Sequence, residues 1–224
     1  MPKQKQSKQV PVKPTFKIFC EGEKTEPLYI KGYINYFHSH DRKIILVEDT
    51  NKNTPLQLVE VAIEAKMKGV EGDVVWVVYD RESVAKYSHE LHHQARMIAN
   101  KNGIEIAFSN VCFELWLLLH FPYSAAPYGS CKDLLSQSSF KSNLKTVGIN
   151  DYDKGLPLIF DKLKDLIPQA MVNAKRLKAQ ALHTAEKERE LPHFLNPYVD
   201  VHELFQDMQN FIDKNPSVRS IAAV

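Results

Sequence analysis

The hydrophobic residues of this chain follow two regimes that meet near residue 110. Up to that point short apolar runs alternate with stretches of helical period. The runs are Phe16–Cys20 (F-K-I-F-C), Lys43–Val47 (K-I-I-L-V), Val74–Tyr79 (V-V-W-V-V-Y) and Ile104–Phe108 (I-E-I-A-F). The third is β-branched or aromatic throughout, the composition of a strand buried on both faces in a parallel sheet covered by helices. Between the runs, Pro27 fits the first turn of a helix capped by Thr25 or Glu26 and continued by Leu28, Tyr29, Gly32, Tyr33 and Tyr36. Thr54-Pro55 opens a second helix through about Met67. After the third run, Val84, Tyr87, Leu91, Ala95 and Ile98 make one helical stripe that Asn102-Gly103 ends. This alternation predicts an α/β fold, a doubly wound sheet of about four mainly parallel strands with right-handed crossovers.

From Ser109 the period changes. S-N-V-C-F-E-L-W-L-L-L-H-F reads as a buried helix capped by Ser109 or Asn110, followed by a loop over 122–130. Beyond it the pattern predicts only helices and connections: Leu156–Ile167, then Gln169–Glu190 after Pro168, then a last helix after Asn196-Pro197 burying Val201, Leu204, Phe205, Met208 and Ile212. Three parts follow: a basic arm over 1–14, an α/β domain over 15–121, and a helical C-terminal extension over 122–224 packed on it.

Composition narrows the class. The 224 residues suffice for one α/β domain with an extension, and no stretch has the apolar length of a membrane span. The opening M-P-K-Q-K-Q-S-K-Q-V-P-V-K-P lacks the apolar core of a secretory signal and reads as a disordered basic arm. Cys20, Cys112 and Cys131 are widely spaced among apolar residues, which fits reduced thiols of a cytoplasmic protein and neither a disulfide nor a zinc framework. A formal net charge of +2 neither demands nor excludes nucleic acid.

Chemistry concentrates where strands end. The third run stops in Asp80, Arg81 and Glu82, and the first runs into Glu21 and Gly22. In open α/β sheets ligands bind beyond the carboxyl ends of the strands. In extended chain Asp80 and Glu82 leave on the same side. If the first and third strands are neighbours, Glu21, Asp80 and Glu82 converge, and oxygen-only ligands suit Mg²⁺ or Mn²⁺. Lys24 is placed to stabilise charge on a phosphodiester, beside the amides that open the helix at Pro27. An ordinary solvated strand-to-helix turn is the competing reading.

E-G-E-K-T-E-P after the first strand, D-R-E after the third and S-N-V-C-F-E-L-W-L-L-L-H-F after the fourth resemble the RloB-like family, which is similar to Toprim proteins. The likeness runs from about Phe16 to Phe121, and more loosely to N-P-Y-V-D-V-H-E-L near Asn196. It implies a Toprim-like fold and a Mg²⁺-dependent nuclease of bacterial phage defence or restriction, cutting DNA or RNA beside an ATPase partner. Glu21 then matches the Toprim glutamate proposed as general acid/base, and Asp80 and Glu82 the metal-binding pair, with Glu in the second place where the motif has Asp. A non-catalytic binding or regulatory subunit of an ATPase complex is the alternative.

Glu114, early in its helix, is a possible further acidic group of the cleft, or only a favourable charge at a helix start. His120 lies roughly 120° around from it and reads as a capping or core histidine. His89-Glu90-Leu91-His92-His93 matches the zinc-protease pattern, but Leu91 lies on the apolar stripe, so His89 and His93 are expected on the solvent side and without zinc. On the long helix, Arg176 and Lys187 line the side opposite Met171, Ala174 and Leu177. They are candidate phosphate contacts, or part of a solvated face.

Overall fold

The structure is a computed structural model and describes residues 12–52 and 54–216, so the arm expected over 1–14 lies almost wholly outside the described residues. Its sheet has five strands: β1 (Phe16–Cys20), β2 (Ile45–Glu48), β3 (Val74–Asp80), β4 (Glu105–Asn110) and β5 (Tyr198–Val199), in the order β2-β1-β3-β4-β5. The first four pair in parallel, as expected, and β5 runs antiparallel to β4. This is a Toprim-like α/β fold.

Strand period divides the chemistry between two faces. Phe19, Val75, Val77, Tyr79 and Phe108 point to one side and share a core with α2 (Pro55–Met67) and α3 (His89–Lys101). Phe16, Ile18, Trp76, Val78 and Ala107 point to the other. There they meet α1 (Thr25–Phe37), α4 (Glu114–Leu118) and α9 (Val201–Lys214). Tyr29 of α1 is the hub of that side: its ring lies edge-on to Phe113, Trp116 and Phe160, and its hydroxyl meets His120 Nε2 at 2.7 Å. His120 is thus the core histidine expected, and burial lowers its pKa to about 4.

Several expectations give way. Ser109 and Asn110 belong to β4, so only Glu114–Leu118 of the apolar block is α-helical. Residues 83–88 form turns, Val84 is exposed, and α3 buries His92, Ala95 and Ala99, so its inner face is displaced from the anticipated stripe. Ser88 caps α3, its hydroxyl accepting from Leu91 N, which starts the helix later than the apolar period suggests. After 121 the chain adds β5 and two short helices, α5 (Cys131–Gln137) and α6 (Phe140–Thr146). The single helix expected over Leu156–Ile167 is α7 (Ile159–Leu163) and a 3₁₀ turn. Pro168 does not separate helices; it sits in the first turn of α8 (Ile167–His183), where its missing N–H costs nothing. α8 stops at His183 and Lys187 falls in a turn beyond it.

The C-terminal segment enters the same core. Phe211 packs edge-on to Phe16 at 5.5 Å, and Trp76 Nε1 donates to Asp207 of α9 at 3.0 Å. Just before β3, Asp73 gathers Thr15 N (2.7 Å), Val70 N (3.2 Å) and Lys17 Nζ (3.3 Å). Burial alone would raise its pKa, but these donors lower it. Asp73→Ala leaves the two amides without their acceptor and should cost about 1–3 kcal/mol in urea unfolding at neutral pH. In the wild type this contribution should fade as pH drops through the lowered pKa, and the gap between wild type and variant should close there.

Candidate functional site

Parallel pairing of β1 with β3 continues one residue past Cys20, where Glu21 N donates to Val78 O at 2.9 Å. Glu21 therefore reaches the end of β3, and its Oε2 lies 3.4 Å from Asp80 N. Tyr87 holds the other oxygen, its hydroxyl donating to Glu21 Oε1 at 2.9 Å. Burial raises the Glu21 pKa, while Tyr87 and the Lys86 charge oppose the rise. Glu21, Asp80 and Glu82 line one cleft of about 430 Å³, together with Lys24, Glu26, Lys86 and Lys154. The convergence expected from the strand ends is present.

Asp80 is its deepest member. The residue is 7% exposed, and Oδ1 is buried with no hydrogen-bond partner. Burial pushes its pKa well above the usual carboxylate range, and the charges of Glu26, Glu114 and Glu21 push the same way. Glu82 is arranged differently from expectation. β3 ends at Asp80 and Glu82 has φ +55°, so extended-strand alternation stops between them. Glu82 stands at the mouth, paired with Lys86 at 2.8 Å.

Two carboxylates complete the cluster. Glu26, considered from the sequence only as a cap, is buried in the first turn of α1 and faces the cleft. The helix cap is instead Lys24, which makes no side-chain capping bond. Burial, then the charges of Glu114 and Glu21, raise the Glu26 pKa to about 7. Gly22 leaves room for it: a Cβ there would collide with the Glu26 carboxylate. Glu114 is 1% exposed beneath the cleft, with Oε1 accepting from Tyr152 Oη at 3.0 Å and facing Lys154 Nζ at 3.6 Å. It does not line the cleft itself, and its charge acts on Asp80 and Glu26 from behind it.

Lys154 is the group that sequence reasoning missed entirely. Burial alone would lower its pKa, but Glu114, Asp80 and Glu26 outweigh that and raise it. It arrives on a strap in which Gly155, at φ +89°, packs on the Lys24 side chain and donates its N–H to Thr25 Oγ1 at 3.3 Å. No local motif marks residues 152–155, because only the fold brings them over the cleft.

A model of the RloB-like protein family matches residues 16–208. The chain belongs to the RloB-like family. No curated protein and no solved structure matches it.

Other candidates lie elsewhere in this RloB-like chain. Arg176 stacks its guanidinium 3.9 Å from the centre of the Tyr123 ring, Lys187 is exposed beyond α8, and neither lines the cleft. His93 is exposed as expected, but His89 is half-buried, with Nδ1 3.3 Å from Arg81 Nη2 and its ring 4.6 Å from Phe194. Its neighbour Arg81 is buried and disfavours a cation there. Among the described residues one trio brings metal-capable atoms within 4.8 Å of one another: Cys112, Glu114 and Cys131. Cys112 and Cys131 are moreover joined as a disulfide, against the expectation of three separate thiols, because the fold sets their Cα atoms 5.6 Å apart. Cys20 remains a free buried thiol. No helix among the described residues is long and apolar enough to cross a membrane.

The raised Glu26 pKa has a measurable sign. Its contribution to stability is full below the unfolded value near 4.3 and is lost as pH rises through about 7. His92, His120, His193 and His202 have lowered values and act in the opposite sense. The readout is therefore a difference: metal-free Glu26→Gln should gain melting temperature relative to wild type between pH 5 and 8. A constant offset across that range would contradict the geometry.

Proposed function

We propose that this RloB-like chain is a metal-dependent nuclease that hydrolyses phosphodiester bonds of DNA or RNA. The observation that carries the reading is Asp80: a buried carboxylate with an orphaned oxygen, set beside Glu21 and Glu26 in a cleft that also holds lysines. Like charges crowded in low dielectric need a proton or a cation between them, and an all-oxygen donor set suits Mg²⁺ or Mn²⁺. Asp80, Glu21 and Glu26 would hold the ion, with Glu82 joining from the mouth by releasing Lys86. Bound there, the ion would polarise a phosphoryl oxygen and lower the pKa of an attacking water.

The side chains do the rest. Tyr87 fixes the Glu21 carboxylate so that one oxygen stays directed at Asp80, and Glu21 or Glu26 accepts a proton from the attacking water. Lys154, Lys86 and Lys24 ring the opening and offset the phosphate charge. Arg176 and Lys187 are too remote from the cleft for a part in the chemistry and serve at most as outlying phosphate contacts. The family likeness adds a cytoplasmic setting, a role in phage defence or restriction, and an ATPase partner as parts of this proposal. The second reading, a regulatory subunit without catalysis, is favoured by one feature: Glu82 is engaged by Lys86 at the mouth and does not sit beside Asp80.

The test is cleavage of plasmid, single-stranded DNA and tRNA by the purified chain with Mg²⁺ or Mn²⁺, with and without the ATPase. Asp80→Asn should lower the rate roughly hundredfold or more while leaving the metal-free melting temperature equal or higher. Lys154→Met should slow cleavage roughly tenfold or more, yet lower the Mg²⁺ concentration needed for half-maximal thermal stabilisation, because a competing cation is gone. A cleavage-free chain that still binds Mg²⁺ through Asp80 would favour the regulatory reading.

A further inference from the structure

Cys112 and Cys131 stand outside the chemistry above and yet touch it. Cys112 follows the end of β4 and Cys131 opens α5, so their bond ties the sheet edge to the helical part. Cys112 is buried and Cys131 half-buried, which leaves Cys131 as the sulfur a reagent can approach. Glu114 lies against the pair, its Oε2 3.2 Å from Cys131 Sγ, while its Oε1 is held by Tyr152 and faces Lys154. A disulfide sulfur has no hydrogen to give, so the oxidised pair offers this buried oxygen no donor. A thiol at Cys131 would donate its S–H to the same oxygen.

We propose that Cys112–Cys131 is a reversible thiol–disulfide exchange site, coupled through Glu114 to the acidic cleft. The reductant is a small thiol such as glutathione. Its thiolate attacks Cys131 Sγ, the S–S bond breaks, and Cys112 leaves as a thiolate and takes up a proton. A second glutathione attacks the glutathione sulfur of the mixed disulfide, releasing Cys131 as a thiol together with glutathione disulfide. Two electrons and two protons pass to the protein and two glutathione thiols are oxidised. The S–H so formed gives Glu114 Oε2 the donor that the disulfide lacks, on a carboxylate whose other oxygen faces Lys154 of the cleft. The exchange site and its contact with Glu114 stand independently of the metal reading.

The full chain, stripped of metal with EDTA, is equilibrated across glutathione ratios, quenched in acid, unfolded and alkylated. Mass then reads one label on the oxidised form, at Cys20, and three on the reduced form. A reversible midpoint is expected. Glu114→Gln should require roughly three- to tenfold more reducing ratios, since the neutral amide gains less from the S–H. Tyr152→Phe removes the other donor on the carboxylate and should move the midpoint the opposite way, which keeps the test open if Glu114→Gln fails to fold. Three labels at every ratio would overturn the site, and midpoints unmoved by the variants would overturn the coupling.

Discussion

A buried carboxylate at the end of an interior strand is the constraint that organises this molecule. Asp80 could escape to water only if β3 were an edge strand, and β1 and β4 prevent that. Glu26 and Glu114 are set nearby by the starts of α1 and α4, so four negative groups with Glu21 share one low-dielectric region. Such a cluster survives in the metal-free protein because each member finds partial relief. Tyr87 donates to Glu21, Tyr152 and Lys154 meet Glu114, and protons are retained on Glu26 and Asp80 well above the ordinary carboxylate range. Repulsion of this kind costs stability that a divalent cation offsets.

Consecutive residues of the D-R-E motif divide the labour between faces. Asp80 looks toward α1 and α4. Arg81 turns to the α3 side, where Nε donates to His193 O at 3.1 Å and Nη1 to Tyr87 O at 2.7 Å. Its own carbonyl meets His92 Nε2 at 3.1 Å. These bonds tie the strand end to the turn before α3 and to the 3₁₀ turn at Pro192–Phe194, which holds Tyr87 where it can reach Glu21. The motif thus sets a buried carboxylate at Asp80, a structural tie at Arg81, and at Glu82 a left-handed residue that carries its carboxylate to the cleft mouth.

The region after residue 121 is integral to the site. Asn173 on α8 donates from Nδ2 to Leu119 O and Phe121 O, each at 2.9 Å, and so fixes the exit of α4, whose first residue is Glu114. Asp200 receives Phe108 N and seats β5 beside β4. The strap over 152–155 brings both Tyr152 and Lys154. A cleft whose floor comes from the parallel sheet is covered by groups supplied much later in the chain.

The sequence by itself determined the sheet core. Four short, mainly apolar runs separated by helical spacers admit little besides a parallel sheet covered on both faces, and acids at two strand ends mark its carboxyl edge as the candidate site. Glu21 and Asp80 were legible for that reason, since strand period and topology are local consequences of side-chain type. Glu26 was visible but was read as a cap, because helix starts favour carboxylates whatever lies opposite. Lys154, the Glu114 contacts and the joining of Cys112 to Cys131 were decided only by tertiary structure: each depends on where a distant, weakly patterned loop crosses the sheet edge. The same holds for α8, whose length ran past the end of its buried contacts in the sequence reading. Periodicity records which face is apolar, but packing decides where a helix ceases to have anything to bury against.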